Sequence, residues 1–198
     1  LEQRVVLAGN VDVALSFTEL TIVGDANDNV IEVEEIAPNQ IRVTGLAGTT
    51  INSGVVPVVI SAPLIDVVLA KMYDGDDRMV VKNMTLTDNA DGVLRVVGGA
   101  GEDNFLIDNV QTTDSIVLDM GEHDDVVRSR YTKTLNHQIA TGNGADSTVI
   151  EYFGAKNLKL TSLEGNDKIV ANVGGVSASM VISSGPENDN VGLKNIQV

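Results

Sequence analysis

The chain has 198 residues, 43% of them hydrophobic and only 3% aromatic, enough for one substantial domain with an aliphatic core. A formal net charge of −15 argues against binding to nucleic-acid phosphates and against docking on anionic membranes. The absence of cysteine removes disulfides, thiolate metal sites and cysteine nucleophiles, and no apolar run is long enough to span a bilayer.

In chain order, residues 1–17 read as an N-terminal cap segment and 18–198 as a single repeat domain. No signal peptide is visible, and the sequence stops at Val198, soon after a strand, as a shortened chain would. Within the repeat domain an acidic Gly/Asn/Asp turn recurs, anchored on Asn29, Thr50, Asp77, Asp103, Asp125, Asp146, Asp167 and Asp189, in steps of 21 to 27 residues. Nine and seven residues before each anchor lie Leu20/Ile22, Ile41/Val43, Val68/Ala70, Leu94/Val96, Ile116/Leu118, His137/Ile139, Leu158/Leu160 and Met180/Ile182. Of these, His137 alone is not apolar. Two and four residues after the anchor lie Ile31/Val33, Met79/Val81, Phe105/Ile107, Val127/Ser129, Thr148/Ile150, Ile169/Ala171 and Val191/Leu193; the Thr50 coil breaks this second column.

A spacing of two on both sides of a turn means two strands, each turning alternate residues inward. Alternation alone also suits an antiparallel sandwich, but two columns in constant register favour coils stacked in parallel. The fold expected is all-β, a right-handed parallel β-helix or solenoid of about eight coils of 21–27 residues. The two longest steps place extra loop at 52–66 and 85–91. Stacked turns also stack their carboxylates about 5 Å apart, where like charges repel by ~1 kcal/mol or more. Backbone N–H groups or a calcium ion between coils would offset that repulsion.

Residues 98–106 read GGAGEDNFL, a full match to the Gly-Gly-x-Gly-x-Asp-x-apolar-x nonapeptide, and so resemble the RTX family of calcium-binding β-rolls. The resemblance implies Ca2+ bound by Asp77, Asp103, Asp125, Asp146 and Asp167 and by turn carbonyls at Gly75, Gly101, Gly142, Gly144 and Gly165. It departs in two respects. RTX coils have about 18 residues and carry the motif on both edges, and Glu187 stands where the Asp189 turn should have Gly. The first eight residues, LEQRVVLA, resemble the Leu-Glu-x-Arg-x-x-Leu motif of exported bacterial surface proteins, and the phrases LTIVGDANDN and IRVTGLAGTTIN resemble repeat modules of such proteins. These resemblances imply an extracellular or cell-surface location.

Two outward columns stand out. Five residues after the anchor, Lys82, Asp108, Arg130 and Glu151 alternate in sign and suit an inter-coil charge ladder. Three after it, Val80, Leu106, Val149 and Val170 form an apolar stripe around Arg128, suited to a homodimer or a surface partner. The stripe offers no aromatic residue on which a sugar could stack, while Arg128 and Arg130 could meet an anionic polysaccharide. His123 reads as an exposed turn residue beside Asp124, His137 as a core histidine, and Ser129 as inward with no base in predictable reach. The one modest break in the repeat is 122–130, and no catalytic residue is assigned. The function expected is a non-catalytic, structural or adhesive extracellular domain stabilised by calcium, with a polysaccharide lyase or hydrolase as the alternative.

Overall fold

A computed structural model describes residues 9–87 and 91–198, and every regular element in it is a strand. The first six are β1 (Asn10–Ser16), β2 (Glu19–Val23), β3 (Val30–Ala37), β4 (Gln40–Gly45), β5 (Thr50–Ile51) and β6 (Val58–Ser61). Next come β7 (Val67–Asp74), β8 (Arg78–Leu86), β9 (Val93–Ala100), β10 (Asn104–Thr112), β11 (Ser115–Glu122) and β12 (Val126–Arg130). The chain ends with β13 (Lys133–Ala140), β14 (Ser147–Thr161), β15 (Lys168–Ser183) and β16 (Asn190–Gln197). Val and Ile are the commonest residues in these segments because branching at Cβ suits the pleated surface.

The strands wind into a β-solenoid. On one side β2, β7, β9, β11, β13 and the later parts of β14 and β15 pair in parallel. On the other, β3, β8, β10, β12, the earlier parts of β14 and β15, and β16 do the same. The pairing register aligns Leu20, Val68, Leu94, Ile116, His137, Leu158 and Met180. Across the core it aligns Ile31, Met79, Phe105, Val127, Thr148, Ile169 and Val191. These are the two columns read from the sequence. Their members are buried up to the last coil, where Val191 and Leu193 are about half exposed.

Two further inward columns add to the core. One holds Met84, Val110, Thr132 and Phe153, and the other Leu86, Thr112, Thr134, Ala155 and Val176. Size is matched between neighbours: a Cβ on Gly174 would run into the Phe153 ring, so the small residue makes room for the large one. Thr112 and Thr134 satisfy each other through a 2.7 Å hydroxyl bond inside the stack.

The N-terminal end departs from the repeat. Ile41 and Val43 are buried, as their spacing requires, but β4 pairs antiparallel with β3, opposing Ile41 to Glu35 and Val43 to Val33. The 52–66 insertion supplies β6, which adds antiparallel to β4, while β1 runs antiparallel to β2. Thr50 therefore anchors no coil. It lies in β5 beside Asn10 of β1, and the neighbouring Thr49 hydroxyl accepts the Val30 N–H at 2.9 Å. The first coil step runs directly from Asn29 to Asp77, 48 residues apart, which corrects the count from eight coils to about six. Residues 1–8, with the LEQRVVLA motif, lie outside the described residues, as do 88–90 of the second insertion.

Candidate functional site

The acidic corner repeats between the two sheets. Four and two residues before the anchoring Asp, the chain adopts positive φ, as at Gly99 (147°) and Gly101 (135°). A Cβ at Gly99 would overlap the Tyr73 carbonyl, and one at Gly101 the Gly75 carbonyl, because each coil lies directly on the one before. Gly75, Gly144 and Gly165 occupy the same position as Gly101 in their own coils, at φ of 115°, 140° and 136°. His123 and Glu187 stand there at φ of 89° and 81°, so the glycine column is interrupted twice.

The anchoring carboxylates point inward. Asp77, Asp103, Asp125, Asp146 and Asp167 are buried, and each Oδ1 accepts the backbone N–H of the anchor one coil earlier at 2.7–2.9 Å. Asp189 closes the series by accepting the Asp167 N–H at 2.9 Å. The residues one position earlier form a parallel outer row: Asp28 accepts from Asp76, Asp76 from Glu102, Asp124 from Ala145 and Asn166 from Asn188. Backbone N–H groups of neighbouring coils therefore hold the stacked carboxylates.

The second oxygen of each buried carboxylate, Oδ2 of Asp77, Asp103, Asp125, Asp146 and Asp167, has no hydrogen-bond partner. Desolvation dominates their titration. It raises Asp77 and Asp103 to about 7, Asp125 to about 8 and Asp146 to about 6, against the lowering effect of the N–H bonds. Asn29 shows what a donor in this place finds: its amide N–H reaches the Asn27 carbonyl at 2.6 Å. Among the described residues no three His, Asp or Glu side chains converge on one point, so the acids form columns rather than clusters.

Ser129 and His137 meet inside the core. Oγ lies 3.4 Å from Nε2, a contact that eight residues of separation did not reveal, because the two strands face each other across the coil. Both side chains are fully buried, His137 Nδ1 has no partner, and desolvation lowers its pKa to about 4. Sealed from solvent, the pair has no route to a substrate. His123 is exposed, with Nδ1 2.7 Å from the Glu122 carbonyl oxygen.

The outward charge column forms in part: Arg130 bonds Asp108 at 2.8 Å, whereas Lys82 pairs with Glu32 at 2.9 Å and Glu34 at 3.7 Å rather than with Asp108. Val80, Leu106, Val149 and Val170 stand in register with Arg128 and are half-buried by one another.

One more column escaped the sequence reading. Six residues after each anchor the chain turns at positive φ, at Asn83, Asn109, Tyr131, Tyr152, Val173 and Asn195. Tyr131 and Tyr152 stack there with ring centroids 4.9 Å apart and planes 8° from parallel, both about half exposed. Their separation by one coil length, 21 residues, is the signal the sequence carries. No protein-family model, curated protein or solved structure matches the chain.

Proposed function

We propose that the chain is a non-catalytic structural and adhesive segment of a bacterial surface or secreted protein, working outside the cell. The supporting observation is that the acid side chains of the repeat are consumed by the fold. Five anchoring carboxylates are buried in a hydrogen-bonded column, and the Ser129–His137 pair is sealed in the core. What remains accessible is a long, periodic outer surface, which suits display and attachment better than turnover. A homodimer or surface partner along Val80, Leu106, Val149 and Val170 belongs to the same proposal, since these side chains make a half-covered stripe divided by the exposed Arg128.

Calcium is an added stabiliser in this reading, and its support is the set of unpartnered Oδ2 atoms. The fit is partial. Each ladder carboxylate offers one free oxygen, whereas calcium takes six to eight, so turn carbonyls and water would have to supply the rest. The Oδ1 bonds of the ladder are all made without the ion.

Two experiments test the proposal. Antibody labelling and protease shaving of intact producing cells should reach the protein; protection until the cells are lysed would overturn the extracellular location. Incubation with uronate polysaccharides should release nothing above a heat-denatured control, whereas new reducing ends or unsaturated uronates would overturn the non-catalytic assignment. For calcium, a Tm several degrees higher with the ion than with chelator is expected through linkage, and an unchanged Tm removes it.

A further inference from the structure

The tyrosine corner is where the outer surface breaks its own pattern. Three of the six corner residues are Asn, which accepts the left-handed conformation because its short amide can bond locally. Tyrosine has no such advantage, yet Tyr131 and Tyr152 hold φ of 54° and 50° in successive coils. Local strain is thus spent on presenting two aromatic rings to solvent.

Beside them runs a groove of about 540 Å3, lined by Gln111, Lys133, Leu135, Gly154, Lys156 and Ser177 together with both tyrosines. A second hollow of about 260 Å3 shares Gln111, Lys133 and Leu135 and carries the depression on to Thr87 and Thr113. The floor is low at Gly154, where a Cβ would meet nothing within 4 Å. Lys133 and Lys156 are exposed, and neither is in an ion pair among the described residues. Among the described residues no Asp or Glu lines the groove, in a chain whose net charge is −15.

An elongated furrow across several coils suits an extended polymer. Its lining combines two lysines for carboxylates, hydroxyls and an amide for sugar hydroxyls, and an aromatic pair for C–H faces. We propose that the groove along Tyr131, Tyr152, Lys133 and Lys156 binds a uronate-bearing polysaccharide. This rests on the adhesive reading above and names what one face of the rod holds. The chain's overall negative charge opposes an anionic ligand only at long range, where screening beyond ~8 Å at physiological ionic strength removes most of the effect. The two ammonium groups act at contact distance.

The test is affinity electrophoresis of the whole chain at physiological salt, in gels containing polygalacturonate, dextran, dextran sulfate or single-stranded DNA. The wild-type chain should be retarded by polygalacturonate and not by dextran. Tyr131→Asn with Tyr152→Asn, and separately Lys133→Gln with Lys156→Gln, should each weaken binding at least tenfold. The Asn variant keeps the fold because Asn already stands at this corner in other coils, and an unchanged Tm verifies that. Arg95→Gln with Lys159→Gln, exposed residues outside the groove lining, should change binding less than twofold. No retardation by polygalacturonate, or retardation by dextran sulfate or DNA alone, overturns the assignment. Retardation that survives both groove variants removes the groove and leaves the adhesive reading standing; cell-surface labelling judges that reading separately.

Discussion

Oδ1 of Asp125 accepts the backbone N–H of Asp103 at 2.8 Å, and the same bond recurs from coil to coil along the rod. The bond ties main chain to side chain across coils and fixes their register at the corner. It leaves Oδ2 buried without a partner, so the ionised form of the column is costly.

A pH dependence opposite to ordinary acid denaturation follows. In the unfolded chain these carboxylates ionise near pH 4, whereas in the folded chain Asp103 holds its proton to about pH 7 and Asp125 to about 8. The folded state binds more protons across that interval, so the ladder's contribution is full below pH 4 and is lost as pH rises through 7 to 8. Calorimetry should give a Tm several degrees higher at pH 5.5 than at pH 8.5. Asp125→Asn retains the Oδ1 acceptor and removes one titration. It should raise the Tm at pH 8.5 and narrow the gap; an unaltered gap would show that Asp125 does not titrate in this range.

His137 works in the other direction. Its pKa falls from 6.5 to about 4 on burial, so its contribution is present above pH 6.5 and is lost as pH falls toward 4. Ser129→Ala with His137→Leu replaces a poorly satisfied polar pair by apolar groups. Denaturant unfolding should find the double variant at least as stable at pH 7. On going from pH 6.5 to 4 its stability should change more favourably than that of the wild type, by about 3 kcal/mol.

Glycines at the corner and on the outer face should respond differently. Gly101→Ala must hold φ near 135° and press on the Gly75 carbonyl, for a loss of ~2–4 kcal/mol. Gly154→Ala meets open space and should change stability by less than about 0.5 kcal/mol. Urea midpoints of the two variants make the comparison.

The Arg130–Asp108 pair is well formed at 2.8 Å but partly exposed on both sides. A double-mutant cycle with Arg130→Gln and Asp108→Asn should return a coupling below about 1 kcal/mol, falling further with added salt. Register is held by the corner bonds, so these variants should keep the native fold.

Much of this architecture was legible in the sequence because parallel stacking repeats each position at a constant interval. Phe105 and Val127 could be placed side by side from spacing alone, and the register confirms it. Ile41 and Val43 misled because an alternating strand looks the same whether its neighbour is parallel or antiparallel. What turned β4 back was the Pro38–Asn39 bend, with Asn39 at φ 57°. The acidic column was visible, but its inward direction was not: a carboxylate in a turn reads as solvent-facing until the N–H groups of the adjacent coil are in place. Ser129 and His137 belong to different columns of successive repeats, so no periodicity joins them. Tyr131 and Tyr152 share a column whose other members are mostly Asn, a position marked by conformation rather than by polarity.

The direction of the corner bonds has a mechanical consequence. Each N–H reaches from one coil to the carboxylate of the next, always in the same sense along the axis. Tension applied to the two ends of the rod loads these links in series, so a single coil yields while its neighbours stay wound. Each such event between Asp103 and Asp189 frees 21 or 22 residues, about 70 Å of extended chain. A tether built this way lengthens in regular increments and absorbs a sudden load without letting go.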